Sequence, residues 1–531
     1  MSDIEVARQS AKASAILFVG NLTSTAILAV ALIIVARLLG PDQYGAYTLV
    51  FLIPSALQLV AGFGVNFAVA RQAAYHSAKG DLQSARRITL HAVIFLLIIG
   101  LLMASANYLG AGFTASTLLK RPELAQYVRE ASLFIVGQTM FAGAVSALIG
   151  WNAVVLSATS SIAQAGMKLA ISVTLVVLGF GVFGAVSGQA LSYVLGGALA
   201  VGMLLFTQVR GYKPEHRLFV SDVRMMASYG LPLFLGNVTS GLSAQYVSVI
   251  LAVIASNAFV GYFQAAANAT VLITVTLTAI DSSLFQAFSR LDGMKGNLPF
   301  ALRLSVKYAS FVVAPLIAFI IATAGPLLSL VYGGSYVDGA AYLQLFAISY
   351  LPSILGLNIM AQFFNGAGRT RFTMLVLISG ATTIAFSAPL FTFILDLGIS
   401  GLLYANILGN VVGAVAGLAI SRRYMGAKID LRGAAVISLA SAAAYLVIVG
   451  IDGLVAPKLL VLLLDGVVFA VVYLTAAPLL GALRVADLER LNTASEAFGR
   501  VSAPFKAIIR YEGAVLKLVD RERPPRSTQP S

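Results

Sequence analysis

Charged side chains are scarce in the apolar runs of this 531-residue chain, and the few that stand there are the first candidates for chemistry, because such groups are costly at membrane depth. Lys168 stands about seven residues into one run, roughly 10 Å along a helix at 1.5 Å per residue. Two readings fit it: a cation lining a polar cavity, or a long side chain reaching back to the inner interface. Arg37 closes the first run, Arg71 closes the second, and Arg290 follows the eighth. A cation at Arg71 would meet an anion entering from the inner side. Asp281 and Lys307 lie near the same ends of adjacent runs and are expected to pair. Asn21 and Asn237 are the leading uncharged polar candidates, either lining a cavity or bonding between helices. Asp465 is a lone acid in the last run.

Nothing in the chain reads as catalytic. There is no phosphate-binding GxxxxGK[ST] loop. With three histidines and no cysteine, a metal site is not expected, and disulfides are ruled out. The longest outer connection, near 112–130, is too short for a soluble catalytic domain. The outer-face acids Asp42, Asp338, Asp396 and Asp452 are scattered over separate loops. The expectation is a protein that is not an enzyme and has no catalytic residues, no cofactor and no metal.

Hydrophobic residues make up 59% of the chain and charged residues 11%, against roughly 45–50% and 25% in soluble domains. Apolar runs long enough to cross a bilayer recur throughout. This implies an all-α polytopic membrane protein. The expected spans lie near 15–36, 46–69, 88–111, 131–152, 161–181, 183–207, 229–253, 259–285, 304–324, 340–362, 373–394, 398–420, 433–450 and 457–480, about fourteen transmembrane helices. With the N-terminus inside, 28 of the 35 Lys and Arg residues fall in inner segments and 5 in outer ones. That bias predicts both termini in the cytoplasm and a cell-membrane (plasma or inner) location. It also accounts for the net charge of +14 without nucleic acid.

The runs are organised by a repeat. Leu17-Phe18-Val19-Gly20-Asn21-Leu22-Thr23-Ser24 returns as Leu233-Phe234-Leu235-Gly236-Asn237-Val238-Thr239-Ser240, and Gly45 falls on Gly261 at the same offset. Later, Asn152, Gly188 and Gly196 return as Asn365, Gly401 and Gly409. A unit of six spans repeats with the same orientation, so two parallel six-helix lobes are expected. The domains read as 1–211 (N-lobe), 212–425 (C-lobe), 426–480 (an extra helix pair) and 481–531. The last is a basic amphipathic tail expected on the cytoplasmic membrane surface, with apolar Phe498, Val501, Phe505, Ile508, Ile509, Leu516 and Val519 at helical spacing.

The segments LLGPDQYGAY and GFGVNFAVAR, then VYGGSYVDGAAYLQLFAISY, FFNGAGRTRFTMLV and LGISGLLYANILGN, make the chain resemble the polysaccharide transporter (Wzx-like) flippases of the multidrug/oligosaccharidyl-lipid/polysaccharide (MOP) exporter superfamily. The resemblance covers about residues 10–425. It implies two lobes around a central cavity that opens to each side in turn. The implied substrate is a polyprenyl-(pyro)phosphate-linked glycan moved to the outer leaflet, with Arg37, Arg71, Lys168 and Arg290 as phosphate-holding candidates. Membrane lipids are implied partners, together with glycosyltransferases and a polymerase. The rivals are a MATE-type drug or cation antiporter and a membrane-embedded glycan polymerase or ligase. The former should carry deep acids in its N-terminal lobe, and the first six expected spans show none at membrane depth.

Overall fold

A bilayer offers backbone amides and carbonyls no partner, so each apolar run must satisfy its own by forming helix. The computed structural model describes residues 3–212, 218–293, 296–451, 458–483, 487–490, 492 and 503–522. Among these, every regular element is helical. Ten stretches are long and apolar enough to cross a membrane, or up to eleven if a pair bent by 44° at Gly356 is one span. The chain is a multi-pass membrane protein. The expected fourteen spans do not follow from this criterion alone. Two of the ten stretches, Ala13–Ala78 and Val154–Val209, are 66 and 56 residues long, far beyond the roughly 20 needed for one crossing. Each breaks at glycine: the first at Gly40 (φ 71°), the second at Gly179 (φ 91°) and Gly181 (φ 51°). Only glycine takes such angles at no steric cost.

The chain divides into two units, Met1–Gln264 and Ala265–Ser531. The first contains α1 (Asp3–Val50), α2 (Leu52–Ala61), α3 (Val65–Ala78), α4 (Leu82–Phe113), α5 (Ala125–Glu130), α6 (Ser132–Gly150), α7 (Val154–Leu175), α8 (Gly181–Leu204), α9 (Phe219–Ile254) and the start of α10 (Asn257–Ala269). Its apolar core joins Val65, Ile88, Leu96, Leu148, Leu204 and Met226 from five of these helices. The most extensive pairings are α6 with α8, α1 with α7 and α7 with α8.

The repeated glycines are points of closest approach. A Cβ on Gly188 would overlap the backbone of Ser172, and one on Gly196 would lie 2.7 Å from Cγ of Gln164. Their repeat mates behave alike: a Cβ on Gly401 would stand 2.9 Å from the carbonyl carbon of Phe391, and one on Gly409 2.9 Å from the oxygen of Gly380. Gly45 and Gly261 meet each other. A Cβ on Gly45 would overlap the Asn257 carbonyl, and one on Gly261 would overlap the Pro41 carbonyl.

The second unit contains α11 (Val271–Gly293), α12 (Leu298–Ala322), α13 (Ala324–Tyr332), α14 (Ala340–Ser349), α15 (Leu357–Gly366), α16 (Thr370–Pro389), α17 (Gly398–Met425), α18 (Leu431–Ile451), α19 (Lys458–Leu479) and α20 (Ala503–Glu522). Phe288, Leu302, Met360, Phe363 and Phe364 form its main core. The extra pair α18–α19 packs on α12. There the Tyr473 hydroxyl donates to the Phe311 carbonyl at 2.7 Å, and Phe469 meets Phe319 edge-on at 5.5 Å. The C-terminal helix α20 lies on α19, so its apolar side is covered by protein.

Gly188→Leu is expected to force α7 and α8 apart and cost about 1–3 kcal/mol. Thermal unfolding in detergent should show a lowered midpoint. Gly166→Leu on α7, where a Cβ meets open space, should leave the midpoint nearly unchanged.

Candidate functional site

One face of α7 carries Ser157, Ser160, Gln164, Lys168 and Ser172, three to four residues apart and all buried. The spacing places them on one stripe of a 3.6-residue helix. Because α7 and α8 approach at glycine, the stripe is pressed against α8. Gln164 Nε2 donates to Ser192 Oγ at 3.3 Å, and Ser192 Oγ donates to the Gln189 carbonyl at 2.8 Å. The Tyr47 hydroxyl donates to Gln189 Oε1. Ser172 lies against Gly188 and Gln164 against Gly196, so Lys168, midway between the two on α7, sits at the height of Ser192. Lys168 is 7% exposed, and among the described residues it makes no ion pair or hydrogen bond. A buried ammonium without a counter-charge is expensive. A group in that position can hold an anion.

An acid stands further along the same interior. Glu130 accepts a hydrogen bond from Ser187 Oγ on α8, while its Oε2 is buried without a partner. It belongs to the candidate span Pro122–Gly150, one residue before the expected start of that span at 131. The polar run Pro122–Arg129 hides it from a hydropathy reading.

Of the other expected residues in the first unit, Arg37, Arg71 and Asn21 do not share the buried stripe of Lys168. Arg37 is exposed, three residues before the Gly40 break. Arg71 is exposed on α3, its guanidinium 4.4 Å from the centre of the Tyr229 ring. Arg290 is exposed near the end of α11 in the second unit. Asn21 is exposed on α1. Asn237 lies on α9, and its side chain is outside the described residues. The expected pairing of Asp281 with Lys307 is not formed. Lys307 Nζ donates to Asp487 Oδ2 at 2.6 Å, and Tyr308 donates to the other oxygen at 3.2 Å. Asp281 is half-buried on α11 with Oδ1 unpartnered. Proximity along the chain suggested Asp281; the fold brings in an acid 180 residues away. Asp465 is buried in α19.

A second polar cluster was invisible in the sequence. Asp222, at the start of α9, accepts from Arg87 Nε at 3.0 Å and lies 2.7 Å from Nδ1 of the fully buried His91. Both partners come from α4, more than 130 residues earlier. Beside them Trp151 Nε1 donates to Thr89 Oγ1 at 3.0 Å. At the far end of α9, Arg121 donates to the carbonyls of Leu119, Ala252 and Ala255, filling the unsatisfied oxygens that end a helix. Burial holds its guanidinium below the usual arginine range.

Comparison with known proteins bears on this interior. Residues 34–341 match the family described as "Polysaccharide biosynthesis protein". The chain belongs to the polysaccharide biosynthesis protein family. This family member is 24% identical over 344 residues to the succinoglycan biosynthesis transport protein ExoT of Rhizobium meliloti (strain 1021), a match covering 62% of the chain and 66% of that relative. The chain thus spans less than two thirds of that relative's length. In fold it is similar to the lipid II flippase MurJ in an inward closed conformation (TM-score 0.71, 14% identity, 87% of this chain and 98% of that one). It is also similar to an inward-facing multidrug resistance MATE family transporter of the MOP superfamily (TM-score 0.63, 18% identity, 75% and 94%). The fold of the family member is that of the MOP superfamily.

Asp222→Ala would strand a buried histidine and a partly buried arginine. Stability is expected to fall by about 3–5 kcal/mol, read as a lowered unfolding midpoint. Ser161→Ala, which removes a hydroxyl bonded only to its own helix, should leave it within about 0.5 kcal/mol.

Proposed function

We propose that the chain is a flippase that carries a polyprenyl-(pyro)phosphate-linked glycan from the cytoplasmic to the outer leaflet, exposing its site to each side of the membrane in turn. The observation that carries this reading is Lys168: a buried cation on α7 with no counter-charge among the described residues, flanked along the same face by Gln164 and Ser172. An anionic phosphate supplies the missing charge, and amide and hydroxyl groups suit sugar. The family match supports a glycan rather than another anion. Arg37 and Arg71, exposed cations on α1 and α3, act before and after Lys168. Asn21 and Asn237 are polar contacts along the path, and Arg290 is the corresponding exposed cation of the second unit.

The membrane potential, negative inside, favours outward movement of an anion by about 2.3 kcal/mol per charge per 100 mV. A pyrophosphate with two charges gains roughly 4–5 kcal/mol. In this reading the protein lies in the cell membrane with both termini in the cytoplasm. The fourteen spans form two six-helix lobes and an extra pair, and the enzymes that build and polymerise the glycan act on either side.

A second reading, a drug or cation antiporter, draws on one observation, the Glu130 carboxyl inside a candidate span. A labelled lipid-linked oligosaccharide in proteoliposomes separates the two. Lys168→Ala is expected to lower its leaflet transfer roughly 10- to 100-fold, the worth of one contact to a charged group, with membrane abundance unchanged. Unchanged transfer in that variant removes Lys168 from the site. No transfer by the wild type, together with proton-driven cation export lost in Glu130→Gln, favours the second reading.

The sidedness is tested separately. The chain has no cysteine, so a single one at Gly80 or Lys120 can be labelled alone. An impermeant maleimide added to intact cells should modify position 120 and not position 80.

A further inference from the structure

The C-terminal helix carries an acid where a docked amphipathic helix should have none. Along α20, Ile509, Glu512, Val515 and Leu516 recur at helical spacing on one side. Ile509 and Leu516 pack into a cluster with Leu483, Leu488 and Phe311. Tyr511 ties the edge of the seam to α19 through a 2.7 Å contact with Thr475 Oγ1. Glu512 lies within this seam, 1% exposed, and among the described residues neither of its carboxyl oxygens has a hydrogen-bond partner.

The charged and titratable groups around it are already engaged or point away. On α19, Tyr473 faces Glu512 and gives its proton to the Phe311 carbonyl. In the segment 487–490, Asp487 is bound by Lys307 and Tyr308 of α12, while Glu489 and Arg490 are exposed and Arg490 lies over the Phe300 ring. On α20 itself Arg510, Tyr511 and Lys517 are exposed and Lys506 is half-buried. Among the described residues no cation is left to balance a carboxylate in the seam. An unpaired carboxylate in apolar surroundings is costly, whereas the protonated acid is tolerated.

We propose that α20 is a proton-closed latch on the second unit: it stays docked on α19 while Glu512 is protonated and leaves the seam when Glu512 ionises. Burial pushes the docked acid up to about 8, against about 4.3 for a free glutamate. The sign follows from that order. Docking is linked to proton uptake, so it is fully favoured below the free value. It weakens as pH rises and levels off once pH passes the docked value. Acidification of the cytoplasm closes the latch and alkalinisation opens it. Released, the same stripe with Arg510 and Lys517 has the make-up of a helix that lies on an anionic bilayer surface.

The test uses the full chain in nanodiscs, with spin labels at Ala514→Cys on α20 and Val471→Cys on α19, both exposed positions in a chain without native cysteine. The docked distance population, measured by pulsed electron resonance from pH 5 to 9, is expected to fall up to tenfold in equilibrium constant per pH unit up to about 8. Glu512→Gln, neutral and of the same shape, should stay docked at every pH, and Glu512→Lys should be released at every pH. A wild-type population that does not change with pH overturns the latch, and so does a pH response of equal slope in Glu512→Gln.

Discussion

Two helices can bury a lysine and a glutamine inside a membrane protein only if something brings their backbones close enough to seal the polar atoms from lipid. In the first unit that is done at Gly188 and Gly196, where α8 has no side chain to hold α7 away. The rest of the interior depends on this approach. It lets Gln164 reach Ser192 and sets Gln189 under Tyr47. It also leaves Lys168 buried, 7% exposed, without an ion-pair partner among the described residues. A wider gap would admit lipid tails, against which an ammonium and an amide are both unfavourable. Packing by small residues and polar function are therefore one constraint here, because lipid supplies no hydrophobic drive to press helices together.

The second unit handles charge differently. Lys307 is answered by Asp487, with Tyr308 on the other carboxylate oxygen, so the cation is neutralised by the C-terminal region and has nothing left for a ligand. Its repeat counterpart for the α7 stripe is plain: Ala381 stands where Lys168 would be, and the close approach at Gly409 is to the Gly380 carbonyl and the side chain of Ile384. The packing device recurs in both copies, whereas Gln164, Lys168 and Ser172 fall on Leu377, Ala381 and Ala385, and only Ser157 and Ser160 keep hydroxyl counterparts, Thr370 and Thr373.

Much of this was legible in the sequence, and the parts that were not share a cause. Hydrophobic runs reveal spans because lipid imposes length and composition on each run independently. A repeat shows in residues such as Gly188 and Gly401 because both copies need the same close contact. Lys168 could be picked out because its cost is local. The Asp222 cluster could not be, since Arg87 and His91 lie more than 130 residues away and neither is unusual near the end of an apolar run. Glu130 was hidden by its polar neighbours Glu123, Gln126 and Arg129, which read as loop although α5 is helical. Lys307 was assigned to the nearer acid in sequence, and only tertiary structure brings Asp487 beside it.

The meeting of Gly45 with Gly261 limits what either position can become. Glycine 45 lies against residue 257, and glycine 261 lies against residue 41. These are the same two positions of the repeated unit with their roles exchanged. A contact that maps onto itself in this way is what two identical subunits make about a two-fold axis. A side chain added at either glycine would run into the segment that carries the other, so neither position tolerates enlargement alone.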